Sequence, residues 1–81
     1  MLPTEDQNII YIEDDPEMID LVSMILGRRG FQIHGAPGGR KGLDLIIADP
    51  PDLILLDLMM PELDGWDVYQ QLKAMESTKH I

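Results

Sequence analysis

A parallel α/β sheet covered by helices is the fold class that this sequence predicts, and three observations carry it. Short apolar runs alternate with stripes of helical period in the order β-α-β-α-β-α. Two of the runs, 8–12 and 53–56, are apolar on both faces, as strands between helical layers are. Successive strands joined through helices make right-handed crossovers, which orient the strands in parallel.

The elements follow in order. Asn8-Ile9-Ile10-Tyr11-Ile12 is β-branched and aromatic and stops at acids, so it reads as the first strand. Asp15-Pro16-Glu17 starts a helix, with Asp as N-cap, Pro at the first helical position and an acid in the first turn. Met18, Leu21, Val22, Ile25 and Leu26 give that helix an apolar stripe. Arg28 and Arg29 fall in its last turn, and Gly30 closes it in a left-handed conformation. Phe31 to His34 alternates in polarity and predicts a half-buried strand at a sheet edge. Pro37-Gly38-Gly39 breaks the chain before a helix from about Arg40 to Ala48, with Leu43, Ile46 and Ile47 as its stripe. Asp49-Pro50-Pro51 ends that helix, because a residue before proline is pushed out of the helical region. Leu53 to Leu56 is the most apolar run and is expected to be the best buried strand. Leu58 to Asp64 is a loop around Pro61, and Gly65 introduces a third helix with Trp66, Tyr69, Leu72 and Met75 on its inner face.

Composition narrows the function classes. At 81 residues the chain makes one small domain, with residues 1–7 as a polar tail and 8–81 as the domain. A net charge of −9 argues against a partner built on a phosphate backbone. The absence of Cys removes disulfides, thiolate metal sites and cysteine nucleophiles. Neither a signal peptide nor a membrane-spanning run is read, and a cytoplasmic location is expected.

Ligands of open parallel sheets gather beyond the carboxyl ends of the strands. The first strand ends at Glu13-Asp14-Asp15 and the third at Asp57. If those strands are neighbours, the carboxylates converge at one rim, which is costly unless a cation sits among them. Oxygen-only donors suit Mg²⁺ or Mn²⁺ and would not select zinc. Asp15, directly before Pro16, reads as a helix cap, whereas Asp57 closes an apolar strand where no cap is needed.

Ile9-Ile10-Tyr11-Ile12-Glu13-Asp14-Asp15, followed by Asp57-Leu58-Met59-Met60-Pro61-Glu62-Leu63-Asp64-Gly65, resembles the receiver domain of two-component response regulators. The acid pair, then an Asp with Pro four residues on and Gly eight residues on, carries the likeness. It implies a three-layer flavodoxin-like (CheY-like) fold with strand order 2-1-3, incomplete after the third βα unit. It further implies that Asp57 is a phosphoacceptor attacking a phosphohistidine, and that Asp14 binds Mg²⁺ directly, with Glu13 helping through water. The Met59 carbonyl would be another ligand, and Pro61 and Gly65 would shape the loop. A sensor histidine kinase or phosphotransfer protein would be the partner, and the chain itself would not be an enzyme.

Receiver domains of this kind have five strands and carry a Ser or Thr after the fourth and a Lys after the fifth. Ser77, Thr78 and Lys79 precede the place of a fourth strand and are not assigned those roles. The chain is therefore expected to be a truncated receiver, with impaired phosphorylation and a third-strand edge open for self-association. A self-associating module with a vestigial site is the alternative. A metal-dependent phosphohydrolase is disfavoured, because Met59 stands where such enzymes carry a second Asp. Of the remaining residues, Trp66 reads as an anchor and His34 as solvated. Met24, Met59, Met60 and Met75 read as packing, Gly38-Gly39 as a turn, and Arg40 and Lys41 as a solvated helix start.

Overall fold

The computed structural model describes residues 7–60 and 65–81. Among the described residues the chain forms β1 (Asn8–Ile12), α1 (Pro16–Gly27), β2 (Gln32–Ala36), α2 (Gly39–Ala48), β3 (Leu53–Leu56) and α3 (Gly65–Ala74). The strands make one parallel sheet in the order β2-β1-β3. The fold class is the one the sequence predicts, and the strand order is the one the resemblance implies. The tail at residues 1–6 and the loop residues Pro61 to Asp64 lie outside the described residues.

β1 is the centre of the sheet because it is bonded on both sides. Ile9, Ile10, Tyr11 and Ile12 are each less than a tenth exposed. β3 corrects an expectation: the most apolar run is not the most buried, since Leu53 is 48% exposed and Ile54, Leu55 and Leu56 are half-buried. It pairs with β1 on one side, and no strand among the described residues pairs with the other. β2 is an edge strand as expected. It begins at Gln32 because the Phe31 N–H is already committed to the Leu26 carbonyl at the end of α1.

α1 starts as predicted, with the Asp15 side chain accepting from the Glu17 N–H at 2.9 Å and Pro16 in the first turn. It ends two residues sooner than expected, at Gly27, so Arg28 and Arg29 lie in the turn beyond it. There the Gly30 N–H donates to Gly27 and the Phe31 N–H to Leu26, with Gly30 at φ 94°. That is the Schellman arrangement, which only a left-handed residue completes. The apolar stripe of α1 is also corrected. Its members Val22 and Leu26 are half-buried as expected, joined by Ile19, whereas Met18, Leu21 and Ile25, and Met24 beside them, are each 40% or more exposed. The helix is apolar around most of its girth, so periodicity does not fix which side meets the sheet.

The main core lies on the opposite face. Ile10 and Ile12 of β1, Ala36 of β2, Leu43 and Ile46 of α2, Val68 and Leu72 of α3, and Met60 pack together there, with Ile54, Leu56, Met75 and Ile81 against them. In α2 the buried positions are Gly39, Gly42, Leu43 and Ile46, a stripe at helical spacing. Ile47, expected within it, is 55% exposed because it stands about 100° around the helix from Ile46. In α3 the buried positions are Gly65, Val68 and Leu72, so Trp66 and Tyr69 face outward, contrary to expectation. Met60 and Met75 do pack, but Met24 and Met59 are exposed.

Gly42 shows how closely α2 approaches the sheet. A Cβ there would lie 2.5 Å from Cδ1 and Cγ1 of Ile12, which is itself fully buried. Gly42→Ala is therefore expected to destabilise the domain by about 1–3 kcal/mol, the usual range for overpacking a filled core. A urea melt should show a lower midpoint at unchanged slope.

Candidate functional site

The register Ile12↔Leu56 brings β1 and β3 to the same rim. One more step of the ladder, the Asp57 N–H to the Ile12 carbonyl at 3.0 Å, sets Asp57 beside Glu13. The Glu13 N–H continues the other ladder, donating to the Ala36 carbonyl at 3.0 Å. Glu13 and Asp57 are thus placed by backbone pairing, and Asp14 follows where β1 leaves the sheet. Carboxylate oxygens of Glu13, Asp14 and Asp57 all lie within 4.8 Å of one another. Asp15 stands apart from this group as the cap of α1, the role its sequence position predicts.

Asp57 is half-buried, and its Oδ1 accepts the Met59 N–H at 3.0 Å. Met59 itself is 87% exposed. The Gly65 N–H donates to the Leu58 carbonyl at 3.2 Å, so the first turn of α3 abuts the strand end. A Cβ at Gly65 would lie 2.3 Å from the Asp57 carbonyl oxygen and 2.5 Å from Leu58 Cα. Both are backbone atoms that cannot swing aside, so this position admits only glycine without displacing the Asp57 segment. Pro61, the other residue expected to shape this loop, lies outside the described residues.

Glu13 is the most constrained member of the group. It is 8% exposed, with Oε1 accepting the Tyr11 hydroxyl at 3.1 Å and Oε2 accepting the Asp15 N–H at 3.3 Å. Burial raises its pKa above the usual carboxylate range, and the neighbouring carboxyls of Asp57 and Asp14 push the same way. The Tyr11 hydroxyl and the Asp15 N–H oppose that rise without cancelling it. Tyr11 is raised as well, first by burial and then by its bond to Glu13. Sequence reading missed Tyr11. The available signal was period two, which puts residue 11 on the same face of β1 as residue 13.

Three carboxylates at this spacing are an all-oxygen donor set without nitrogen or sulfur, which fits a hard divalent cation such as Mg²⁺ or Mn²⁺. A bound cation would neutralise the rim and let Asp57 meet an anionic group. Ser77, Thr78 and Lys79 are at the other end of α3, about 15 Å along a ten-residue helix from Gly65. Thr78 is 1% exposed and its Oγ1 donates to the Leu72 carbonyl at 2.6 Å, a helix-end role that sequence reading did not assign. Lys79 pairs with Glu76 at the surface. His34 is exposed on β2, and Trp66 meets Tyr69 edge-to-face at 6.0 Å on the outer side of α3. A cleft of about 420 Å³ bordered by Asn8, Asp49 and Pro51 opens at the opposite end of the sheet, away from the acids.

The response regulator receiver domain model matches residues 9–81. The DNA-binding dual master transcriptional regulator RpaA of Synechocystis is 45% identical over 73 residues, covering 90% of this chain and 30% of that protein. The response regulator MprA of Mycolicibacterium vanbaalenii is 39% identical over 66 residues, covering 82% of this chain and 29% of that protein. The receiver-domain crystal structure from Methanoculleus marisnigri superposes with a TM-score of 0.90 at 34% identity, covering 94% of this chain and 62% of that one. Response regulator TrrA of Thermotoga maritima, solved with Mg²⁺ and BeF, superposes at 0.83 with 26% identity, covering 86% of this chain and 61% of that one. The chain therefore spans under a third of the length of these curated relatives and about three-fifths of these solved structures. Fold, strand order, rim and sequence agree, and the chain belongs to the receiver-domain family of response regulators.

Proposed function

We propose that this chain is a phosphoacceptor in a two-component phosphorelay, with Asp57 as the residue that takes the phosphoryl group. The convergence of Glu13, Asp14 and Asp57 within 4.8 Å carries this reading. A carboxylate oxygen of Asp57 attacks the phosphorus of a phosphohistidine in line. The new P–O bond forms as the P–N bond breaks, and the imidazole keeps the electron pair. The donor is a sensor histidine kinase or a phosphotransfer protein in the cytoplasm, and the chain is modified rather than turning over a substrate. Mg²⁺ or Mn²⁺, when bound, supplies neutralisation of the phosphoryl oxygens. Asp14 is exposed at the rim and would hold the ion directly, together with Asp57 and the Met59 carbonyl. Glu13, both of whose oxygens already accept hydrogen bonds, would act through water. The Mg²⁺ and BeF bound by the Thermotoga relative support the same chemistry here.

Yield is expected to be low for these 81 residues by themselves. Ser77, Thr78 and Lys79 sit too far along α3 to supply the hydroxyl and the cation that other receivers bring to the phosphoryl group. A second reading, self-association, is favoured by one observation. The outer edge of β3 carries Leu53 at 48% exposure, and α1 has no fully buried residue. Two copies pairing β3 antiparallel about a two-fold axis would make a sheet ordered 2-1-3-3′-1′-2′.

Relief of the rim's repulsion is measurable in two ways. Native Glu13 keeps its proton to higher pH than the ordinary value of 4.5, so above that value the folded state binds more protons than the unfolded one. Its contribution to stability is then lost as pH rises through the raised value. In chelator, Glu13→Gln is expected to be more stable than the parent at neutral pH, with the gain vanishing as pH falls toward 4.5. Addition of Mg²⁺ at about 100 times its Kd should stabilise the parent by about 2.7 kcal/mol, and Asp14→Asn should lose that response. Thermal melts across pH and Mg²⁺ concentration check both.

Incubation with acetyl phosphate and Mg²⁺ should add one phosphoryl group, seen by intact mass, and Asp57→Asn should abolish it. Labelling that survives the substitution would sink the assignment. Sedimentation at micromolar concentration tests the pairing: a dimer that Leu55→Lys converts to monomer supports it, and a single species of 9.2 kDa for the parent refutes it.

A further inference from the structure

We infer that Tyr11 is a positioning residue that sets which divalent cation the rim accepts, by holding Oε1 of Glu13 so that the carboxylate cannot close on an ion with both oxygens. The inference rests on the metal-site reading above and adds a residue to it. Tyr11 is 8% exposed, and a hydroxyl withdrawn from water must find a partner. It donates to Oε1 of Glu13 at 3.1 Å, while the Asp15 N–H takes Oε2 at 3.3 Å. The first contact comes from within β1 and the second from the cap of α1, so both ends of the carboxylate are fixed by backbone placement. The Tyr11 side chain is itself flanked across the sheet, since residue 11 is in register with Gly35 on one side and Leu55 on the other.

The consequence follows from how cations differ. Mg²⁺ keeps an octahedron of short bonds, retains several waters, and needs only one or two carboxylates. Ca²⁺ takes six to eight oxygens and often binds a carboxylate through both. Of the three acids, Asp57 has one oxygen engaged by the Met59 N–H and Glu13 has both engaged. A rim in this state offers few direct oxygens and suits the smaller, water-retaining ion. Without the Tyr11 hydroxyl, Oε1 of Glu13 is released, and the carboxylate, held only by the Asp15 N–H on one lone pair of Oε2, can turn and close on a larger ion with both oxygens. A hydroxyl that merely satisfied a buried acceptor would change the stability of the fold and leave the preference between ions where it was.

Calorimetric titration of the metal-free protein with MgCl₂ and separately with CaCl₂ distinguishes these roles. Tyr11→Phe keeps the ring and removes the oxygen. The ratio of Mg²⁺ to Ca²⁺ affinity is expected to fall about tenfold, the lower end of what loss of a residue behind a metal ligand costs. In the Glu13→Gln background the same substitution should leave the ratio unmoved, because Tyr11 acts through Glu13. Leu55→Ala, which removes packing beside Tyr11 but no hydrogen bond, should lower the melting temperature with the ratio unchanged. If Tyr11→Phe fails to fold, Glu13→Asp shortens the carboxylate out of the hydroxyl's reach, and the ratio should fall likewise. A parent-like ratio in the folded variant overturns the inference, whatever happens to the melting temperature. A parent that binds neither ion overturns the metal-site reading and this assignment with it.

Discussion

Pairing of β1 with β3 in the register Ile12↔Leu56 is the interaction on which the site depends. It carries two acids that are far apart in sequence, Glu13 and Asp57, to adjacent positions on one face of the sheet. A slip of one residue would turn one of them to the opposite face, because the side-chain period of a strand is two. At the other end of the same strands the Asp52 carboxylate accepts the Asn8 N–H at 2.8 Å, and the Asp52 N–H donates back to the Asn8 carbonyl at 2.9 Å. That reciprocal clamp fixes where the pairing begins, and four ladder positions later it has fixed where the acids stand. The site is thus determined from the far end of the sheet as well as from its own rim.

Close approach of the helices is the second constraint, and glycine supplies it at three places. Ile19 of α1 lies where a side chain at Gly35 would be, α2 presses Gly42 onto Ile12, and α3 presses Gly65 onto the backbone of Asp57 and Leu58. The first two let helices sit low on a sheet with little apolar area to bury. The third differs in kind, because it couples the helix to the Asp57 segment itself. A change in that segment must move the first turn of α3, and Trp66 directly follows Gly65 there. Packing and chemistry share an atom-to-atom contact at this point, whereas elsewhere in the domain they are separable.

Much of this was legible in the sequence, for reasons that can be named. Asp15-Pro16 and Gly30 are local signals whose geometry needs no tertiary information, and both ends of α1 follow from them. The acid group was legible because strand ends in parallel sheets share a rim, so two runs ending in acids place them together. Azimuth and neighbourhood were not legible. Met18, Leu21, Val22, Ile25 and Leu26 have the spacing of a core stripe, yet only Val22 and Leu26 of these are half-buried, together with Ile19, because a helix apolar around most of its girth offers more than one face. Leu53 to Leu56 is the most apolar run, yet burial of a strand is set by what lies on both of its sides. Trp66 and Tyr69 are the largest apolar residues of α3, yet Val68 is buried and they are not, because the seat of Gly65 decides how the helix is turned.

Tyr11 and Glu13 show where stability and function meet in so small a domain. Burying Glu13 beside Asp57 and Asp14 raises its pKa, which is to say that the charged form is unfavourable in the fold. A hydrophobic residue at 13 would relieve that strain and could extend the apolar face of β1 past Ile9 and Tyr11. What holds the acid in place is a hydroxyl within the same strand and an amide at the start of α1, neither of which adds area to the core. These hydrogen bonds are satisfied only if the side chain keeps one orientation, so they trade conformational freedom for placement. A carboxyl group whose charged form the surroundings disfavour, and which is kept still, is poorly suited to stabilising a fold. It is well suited to meeting a cation without reorganisation, since the cost of ordering has been met when the strand forms.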